Sequence, residues 1–445
     1  MNSLTSSPCS AQFDSVFLPQ LILEWCERYE QTNRRDRLLP RPVVFTGLLL
    51  YAWQGCRNLT HALAQAAHMT GRCAMPIISK GSVTPARQRI PNAMWRDAHQ
   101  HAVRLTEELA LPSPIPGFRV LCLDGTSFAT PDTACNLKRW GKPACVINEA
   151  PDPMIRVCVM LDAATHQFTA FGYAGFYQAG EGTLGDELIE QQAKPGTLIE
   201  MDRGFFSFQR IARIRELGAH ALIRVKRDIK LPMLERLPDG SFRSAVRISN
   251  RHHKPFSKQR REAPPGTLPD DIPVRVVEYV IIKDGAPVHY RLLTTVLDHA
   301  ALPAKTMING YRLRWRVETG IRELKWLTAR FRRPHLAGKD ARTTEQELLA
   351  LFTAHAAARL CMAHAAKDHS LDPTRLSLSG SMAILEQCVP KLIGGALDEA
   401  ELFRAIARCR LPQPSQRTFP RHIKRRRPGY PSRSPTTKPN EKVNL

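Results

Sequence analysis

Four polar residues are spaced so that a helix can bring their side chains together. They are Tyr311, Arg314, Glu318 and Lys325. On an α-helix each residue turns by about 100°, so these side chains fall within roughly 60° of one another. One carboxylate is then held among two cations and a phenol. A carboxylate can bind a hard divalent cation and cations can hold phosphates, so this polar stripe suits chemistry at a phosphodiester. The alternative is an ordinary solvated face with ion pairs such as Glu318 to Arg322.

The opposite side of the same helix is apolar. Leu313, Val317, Ile321 and Leu324 fall within an arc of roughly 80°. Such an arc packs against a core and would hold the polar stripe in a fixed orientation. The stretch from Tyr311 to Trp326 is therefore predicted to be one amphipathic helix.

Two further carboxylates follow short apolar runs that are typical of buried strands. Asp124 comes directly after Val120 to Leu123, and Asp202 comes directly after Leu198 to Met201. Each is predicted to end its strand, where functional groups collect in α/β sheets. Either aspartate alone could be a turn or capping residue. Together with Glu318 they could hold two divalent ions for phosphoryl transfer, and carboxylate ligands favour Mg²⁺ or Mn²⁺ over zinc.

The composition limits the classes of partner. The 445 residues include 64 Lys and Arg against 41 Asp and Glu, a formal charge of +23. So basic a chain predicts a polyanionic partner, with nucleic acid ahead of an anionic membrane. No apolar run approaches the ~18 residues that suggest a membrane span, so no membrane partner is expected. The cysteines are scattered without metal-ligand spacing, which is typical of reduced thiols in a cytosolic protein.

Four regions of the chain differ in pattern. Strands alternating with helices predict an α/β sheet with parallel members in the second region. A stretch rich in Pro and basic residues, 227–290, interrupts that sheet and is predicted to be an inserted β-rich subdomain. The end of the chain cannot bury enough apolar surface to fold alone. The predicted regions are an N-terminal helical DNA-binding domain (1–110), the α/β domain (111–370), C-terminal helices (371–410) and a basic disordered tail (411–445).

Basic residues near the N-terminus offer a first candidate for additional phosphate contacts. Ser82 or Thr84 could cap a helix that begins at Pro85 and carries Arg87 and Arg89 near its start. A helix of this kind could enter a DNA groove. A charged surface helix without a partner fits the same pattern equally well.

The basic tail offers a second candidate. Lys424, Arg425 and Arg426 stand together in an I-K-R-R-R segment. Such a run is either a solvating tail or an arm that binds phosphates. The positive charge of the whole chain favours the arm.

These motifs together resemble those of the IS4 family of DDE transposases, which are encoded by bacterial insertion sequences. In that family a helix carries Tyr, two residues, Arg, three residues, Glu, six residues and Lys, and the polar stripe matches every spacing. The D-G-T of residues 124–126 and the D-R-G-F of residues 202–205 resemble the two aspartate motifs of the family. The insertion, the N-terminal basic helix and the basic tail also have counterparts, so the resemblance covers nearly the whole chain.

The resemblance implies an RNase H-like catalytic domain in which Asp124, Asp202 and Glu318 are catalytic and bind two Mg²⁺ ions, with Mn²⁺ as a substitute. It implies cleavage of DNA at the terminal repeats of an insertion sequence, followed by strand transfer in a cut-and-paste reaction. The partner would be double-stranded DNA, bound by a homodimer in the bacterial cytoplasm at the nucleoid. The DNA-binding residues would be Tyr311, Arg314, Lys325 and Arg203, together with Arg87, Arg89, Lys424, Arg425 and Arg426.

Two other functions stay open. A catalytically inactive DNA-binding protein derived from a transposase would keep the DNA contacts, but it would not need Asp124, Asp202 and Glu318 together. A metal-dependent nuclease of the same fold would need the carboxylates, but not the N-terminal domain and basic tail that suit recognition of DNA ends. Active transposition is therefore the prediction.

Overall fold

The computed structural model describes residues 28–29, 39–54, 58–69, 78–143, 152–247, 271–283, 286–329, 336–393 and 398–412. Residues up to Arg410 belong to one structural unit, and the fold below is that of this unit. The tail residues Lys424, Arg425 and Arg426 lie outside the described ranges. Their predicted contact with DNA therefore stays a prediction.

All the strands of the described residues lie in one mixed sheet. They are β1 (Arg119–Ala129), β2 (Met154–Asp162), β3 (Phe168–Gly175), β4 (Thr197–Met201), β5 (His220–Arg224), β6 (Glu235–Arg236), β7 (Phe242–Arg247), β8 (Asp271–Lys283) and β9 (Ala286–Thr294). Their order across the sheet is β3-β2-β1-β4-β5-β9-β8-β7-β6. Neighbours β1 and β4, and β4 and β5, are parallel, and the other neighbouring pairs are antiparallel.

Helices pack on both faces of this sheet. They are α1 (Arg41–Gln54), α2 (Leu59–Met69), α3 (Lys80–Gln88), α4 (Asn92–Glu108), α5 (Ala134–Trp140), α6 (Glu181–Gln192), α7 (Phe208–Glu216), α8 (Ala304–Gly310), α9 (Trp315–Ala329), α10 (Ala341–Asp368), α11 (Leu378–Ile393) and α12 (Glu399–Arg408). Short 3-10 turns cover Arg203–Phe205, Tyr311–Arg314 and Pro373–Arg375.

The side chains of the central strands point alternately to the two faces of the sheet, and an apolar cluster covers each face. Val120 and Cys122 of β1 share one apolar cluster with residues of α9 and α10. Leu121 and Leu123 of β1 share the other cluster with residues of α6 and α7. Successive side chains of a strand point to opposite faces, so a strand buried on both sides must be apolar throughout. The apolar runs therefore identified these strands correctly.

Helix α10 runs through the interior and connects the sheet to the N-terminal helices. Asp340 caps it by accepting a hydrogen bond from the Thr343 N–H at 3.0 Å. Among the described residues, α10 is the one helix whose length and apolar composition would allow it to cross a membrane. Its apolar stretch is, however, completely buried inside the protein. Burial of this extent is typical of a core helix.

The structure corrects the predicted position of Asp124. Its strand continues for five residues, to Ala129, so Asp124 does not end it. The reason is that β1 has two neighbours of different length. Parallel pairing with β4 stops at Leu123 opposite Met201, whereas antiparallel pairing with β2 continues to Ala129 opposite Met154.

The strands of the predicted insertion extend the main sheet. β9 pairs with β5, and β8, β7 and β6 follow outward in turn. The β-rich character predicted for residues 227–290 is confirmed by β6, β7 and β8, and β9 runs past the predicted end of the stretch to Thr294.

The predicted start of the N-terminal basic helix is also wrong. Helix α3 begins at Lys80, and Ser79 caps it by accepting a hydrogen bond from the Ser82 N–H at 3.3 Å. Pro85 therefore lies inside the helix. Ser82 additionally donates its hydroxyl to the Ser79 carbonyl at 2.8 Å, which stabilises the first turn of a helix that begins at Lys80 rather than at Pro85.

Candidate active site

The two aspartates lie at the same edge of the parallel part of the sheet. The last parallel pair of β1 and β4 joins Leu123 to Met201, and Asp124 and Asp202 are the next residues of the two chains. Asp202 follows the end of β4, as predicted, and precedes the 3-10 turn Arg203–Phe205. The two carboxylates are brought together because parallel neighbours present their carboxyl ends at one edge.

Glu318 comes from α9, but the stretch predicted as a single helix has two parts. Tyr311–Arg314 is a 3-10 turn, and the α-helix begins at Trp315. A 3-10 turn advances about 120° per residue, so Tyr311 lies on the same side of the turn as Arg314, three residues later. Its ring is buried in the core, and its hydroxyl donates to the Met201 carbonyl at 3.4 Å. A phosphate contact by Tyr311 therefore stays a prediction without an exposed side chain to support it.

The apolar side of α9 is confirmed. Val317, Ile321 and Leu324 are buried in the same core cluster, and Leu313 packs partly buried against it. Glu318 lies in the first turn of α9, where the positive end of the helix dipole stabilises a carboxylate. The amphipathic pattern thus anchors the helix and leaves Glu318 one-third exposed.

Arg314 links the carboxylates of the sheet and the helix. Its Nη2 lies 2.8 Å from Glu318 Oε1, and its Nη1 lies 3.7 Å from Asp124 Oδ2. The negative charge of Asp202 also acts on the Arg314 guanidinium. Arg314 is itself buried, so its cation stands among three carboxylates rather than projecting into solvent.

The pKa of Asp124 reflects both its burial and the charged groups around it. Burial raises that pKa to about 6, while the Gly125 N–H and Arg314 oppose the rise. Glu318 and Asp202 add to it because each places a negative charge nearby. The Gly125 N–H donates to Asp124 Oδ1 at 2.8 Å. The three carboxylates therefore form one electrostatic group.

A fourth carboxylate near this group was not found from the sequence. Glu181 begins α6, and a Cβ at Gly125 would stand only 2.6 Å from Glu181 Oε1. A side chain at position 125 would therefore push Glu181 away from β1. Glu181 follows Asp124 by 57 positions and belongs to no motif, so only the fold could reveal it.

The remaining predicted DNA-binding residues are in varied environments. Lys325 on α9 is exposed, although partial desolvation of its ammonium group lowers the pKa of that group, and Arg203 is exposed beside Asp202. Arg87 donates to the Thr343 carbonyl at 2.9 Å, and Arg89 donates to the Leu39 carbonyl. The two N-terminal arginines are thus half-buried and bonded inside the fold, and their contact with DNA stays a prediction.

The carboxylates of this site are the type of ligand that binds a hard divalent cation, but their present positions do not form a metal site. Carboxylate oxygens are the ligands that Mg²⁺ and Mn²⁺ prefer. In the described ranges, however, no three His, Cys, Asp or Glu side chains are spaced to hold a metal ion as they stand. Two of the candidate ligands, Asp124 and Glu318, are instead paired with Arg314.

Comparison with known proteins identifies the family. The family model described as "Transposase DDE domain" matches residues 115–356, more than half of the chain, and this span includes all three carboxylates. The transposase InsG of insertion sequence element IS4 from Escherichia coli (strain K12) is 27% identical over 366 residues, which cover 80% of this chain and 79% of the relative. A solved structure of the piggyBac transposase synaptic complex with hairpin DNA is 12% identical, with a TM-score of 0.42 over 91% of this chain and 86% of that one. The chain therefore belongs to the transposase DDE domain family, and the predicted IS4 type is confirmed.

Proposed function

We propose that this transposase binds the terminal inverted repeats of an insertion sequence and catalyses metal-dependent DNA cleavage and strand transfer, in a cut-and-paste reaction. The observation that carries the proposal is the gathering of Asp124, Asp202 and Glu318 around the Arg314 guanidinium. Residues 124, 202 and 318 are far apart in sequence, and the fold brings their acidic side chains into one electrostatic group within the matched transposase domain.

We further propose that the catalytic core is RNase H-like. Five adjacent strands in the order β3-β2-β1-β4-β5, with β1, β4 and β5 parallel, support this assignment. Strands β6 to β9 would then be the elaboration between the second aspartate and the glutamate.

Asp124, Asp202 and Glu318 would hold two Mg²⁺ ions, for which Mn²⁺ could substitute. Bound divalent ions supply an activated water and stabilise charge on the attacking and leaving oxygens of the phosphodiester. For these carboxylates to bind a cation, Asp124 must be deprotonated, and Asp124 and Glu318 must exchange Arg314 for the cation. The released guanidinium would then be available to a DNA phosphate, which is the role predicted for Arg314.

Lys325 and Arg203 would add phosphate contacts at the same edge of the sheet. Lys325 shares α9 with Glu318, and Arg203 directly follows Asp202. Because phosphate contacts fix position rather than read sequence, these residues would orient the scissile strand. The partner would be double-stranded DNA, bound by a homodimer at the nucleoid in the bacterial cytoplasm.

The test is cleavage of a plasmid that carries the ends of the element, in the presence of Mg²⁺. Wild-type protein should excise the segment, Asp202→Ala should not, and Glu318→Gln should bind the ends while cutting nothing. Arg322→Gln is the matched control, because Arg322 is exposed on the same helix and donates only to the Thr319 hydroxyl in the described structure. Cleavage that persists in Glu318→Gln would contradict the role of Glu318.

The ion pairs of Arg314 favour one alternative, a DNA-binding protein without catalysis. With Asp124 and Glu318 neutralised by Arg314, the site could remain metal-free. Binding of the ends by wild type without any cut, in Mg²⁺ or Mn²⁺, would support that alternative. Cutting of DNA that lacks the ends would instead favour a general nuclease.

A further inference from the structure

A buried group of ionisable residues lies on α9 away from the carboxylates. Glu323 follows Glu318 by five positions, so the two side chains stand about 140° apart around the helix. Arg359 donates to Glu323 Oε1, and His355 Nε2 lies 3.1 Å from Glu323 Oε2. His166 Nε2 lies 3.6 Å from the same oxygen. We call Glu323, Arg359, His355 and His166 the Glu323 cluster.

The cluster is one ion pair flanked by two neutral rings. His166, His355 and Arg359 are at most 3% exposed. Burial alone would raise the pKa of Glu323, but the Arg359 guanidinium and the hydrogen bond with His355 outweigh it and hold the pKa below its ordinary value. Burial lowers the pKa of both histidines, which keeps them uncharged. Glu323 is therefore a carboxylate whose charge is balanced by Arg359.

The cluster joins three elements of the fold. Glu323 belongs to α9, His355 and Arg359 stand one turn apart on α10, and His166 lies in the turn between β2 and β3. The His355 ring also contacts the Phe168 ring of β3, with 5.0 Å between centroids. Since β2 pairs with β1 beside Asp124, the cluster connects the helix of Glu318 to the sheet of Asp124.

Directional contacts of this kind can set the rotation of a helix, which apolar contacts alone define less sharply. Val317 and Leu324 hold α9 against the core, but such packing is non-directional. Hydrogen bonds weaken steeply when their angles change, so the bonds of Glu323 penalise rotation or sliding of α9. A buried ion pair contributes little net stability, and specifying one arrangement is its better-attested use.

We propose that Glu323 is a positioning residue of the transposase. Through its hydrogen bonds with Arg359 and His355 it fixes the rotation of α9, and thereby the place of Glu318 relative to Asp124 and Asp202. Glu323 touches neither substrate nor reacting atoms. The inference rests on the proposed function, because positioning has a purpose only if the carboxylates bind a cation.

The experiment compares Mn²⁺ binding by full-length wild type and Glu323→Gln, followed by the electron paramagnetic resonance of free Mn²⁺. Glu323→Gln keeps the size of the side chain but removes the charge that meets Arg359. It should weaken Mn²⁺ binding by about tenfold, the lower range for residues that orient metal ligands. Binding of DNA ends in the absence of metal should be unchanged.

Glu347→Gln is the matched control for a loss that only destabilises the fold. Glu347 lies on α10, faces Arg87 and accepts hydrogen bonds from the Ala337 and Gly338 N–H groups. None of these three partners lies on α9. Glu347→Gln should lower the melting temperature but leave Mn²⁺ affinity unchanged.

A second variant keeps the proposal testable if Glu323→Gln does not fold. His355→Phe retains a ring against Phe168 and removes the donor to Glu323 without leaving an unpaired charge. It should weaken Mn²⁺ binding by about threefold, the scale of one net hydrogen bond. Folding of each variant is checked by circular dichroism.

The outcomes separate the inference from the proposed function. Failure of wild type to bind Mn²⁺ would overturn the proposed function and the inference with it. Binding by wild type and equal binding by folded Glu323→Gln or His355→Phe would overturn the positioning role alone. Equal weakening in Glu347→Gln would also overturn it, because the effect would then follow stability.

Discussion

Replacing Arg314 by Gln should tighten the binding of Mn²⁺ to this transposase, although it removes a positive charge expected to hold DNA. In the described structure Arg314 pairs with Glu318 at 2.8 Å and with Asp124 at 3.7 Å. A divalent cation can use these carboxylates only after the guanidinium has left them. Wild type therefore loses the Arg314 ion pairs on binding Mn²⁺, whereas Arg314→Gln has no such pairs to lose.

The size of the effect follows from the geometry. A hydrogen bond between charged groups contributes about 1.5–3 kcal/mol. The lower value applies here, because Glu318 is 33% exposed and water screens the pair. The longer contact with Asp124 adds little at 3.7 Å. Because about 1.4 kcal/mol corresponds to a factor of ten, Mn²⁺ should bind Arg314→Gln about tenfold more tightly.

The assay is a Mn²⁺ titration at pH 8, where Asp124 is deprotonated, with free Mn²⁺ read by electron paramagnetic resonance. Arg322→Gln removes the same charge from the adjoining helix α9, and the hydrogen bond of Arg322 in the described residues is to the Thr319 hydroxyl, so this variant controls for net charge. Cleavage by Arg314→Gln should fall even as the metal binds more tightly. Mn²⁺ affinity equal to or weaker than that of Arg322→Gln would refute the reasoning.

Three further predictions concern the site, the core and the tail. Burial and neighbouring carboxylates raise the pKa of Asp124 to about 6, so protons compete with Mn²⁺ for this carboxylate below that pH. The apparent affinity for Mn²⁺ should therefore fall between pH 8 and pH 5. Equal Mn²⁺ affinities at the two pH values would contradict the role of Asp124. Gly320→Ala would place a Cβ 2.7 Å and 2.8 Å from atoms of two buried side chains. It should lower the free energy of unfolding, measured by denaturant titration, by about 1–3 kcal/mol. Gly204→Ala is the control, because a Cβ at position 204 meets nothing within 4 Å. Removal of residues 411–445 should make DNA binding less dependent on salt. The slope of the logarithm of the binding constant against the logarithm of the salt concentration should shrink by about 0.9 for each phosphate that the tail neutralises in the intact protein. An unchanged slope would mean that the tail only solvates the chain.

Local patterns were sufficient for the features that depend on neighbouring residues. The period of Val317, Ile321 and Leu324 predicted the buried side of α9, because a helix repeats its faces every three to four residues. The apolar run before Asp202 predicted both the strand and its end. The spacing of the polar stripe and the aspartate motifs was enough to indicate the IS4 type, which the comparisons confirm.

Other features depended on partners that lie far away in the sequence. The pairing of β1 with β2 extends its strand past Asp124, and a run of apolar residues contains no information about the length of a neighbouring strand. The cap of α3 is a different case, because it depends on local hydrogen bonds: Ser79 rather than Ser82 caps the helix, which begins at Lys80. These errors moved boundaries by a few residues and left the order of elements correct.

By itself, the sequence determined the family, the alternation of strands and helices, and the side of α9 that faces the core, because each depends on local period or motif spacing. Only the tertiary structure decided what the polar residues contact. It paired Arg314 with Asp124 and Glu318, buried Tyr311, and joined Glu323 to Arg359 and two histidines. The physical reason is that the charge state and partners of a side chain depend on the groups that folding brings within a few ångströms, and these come from strands and helices distant along the chain.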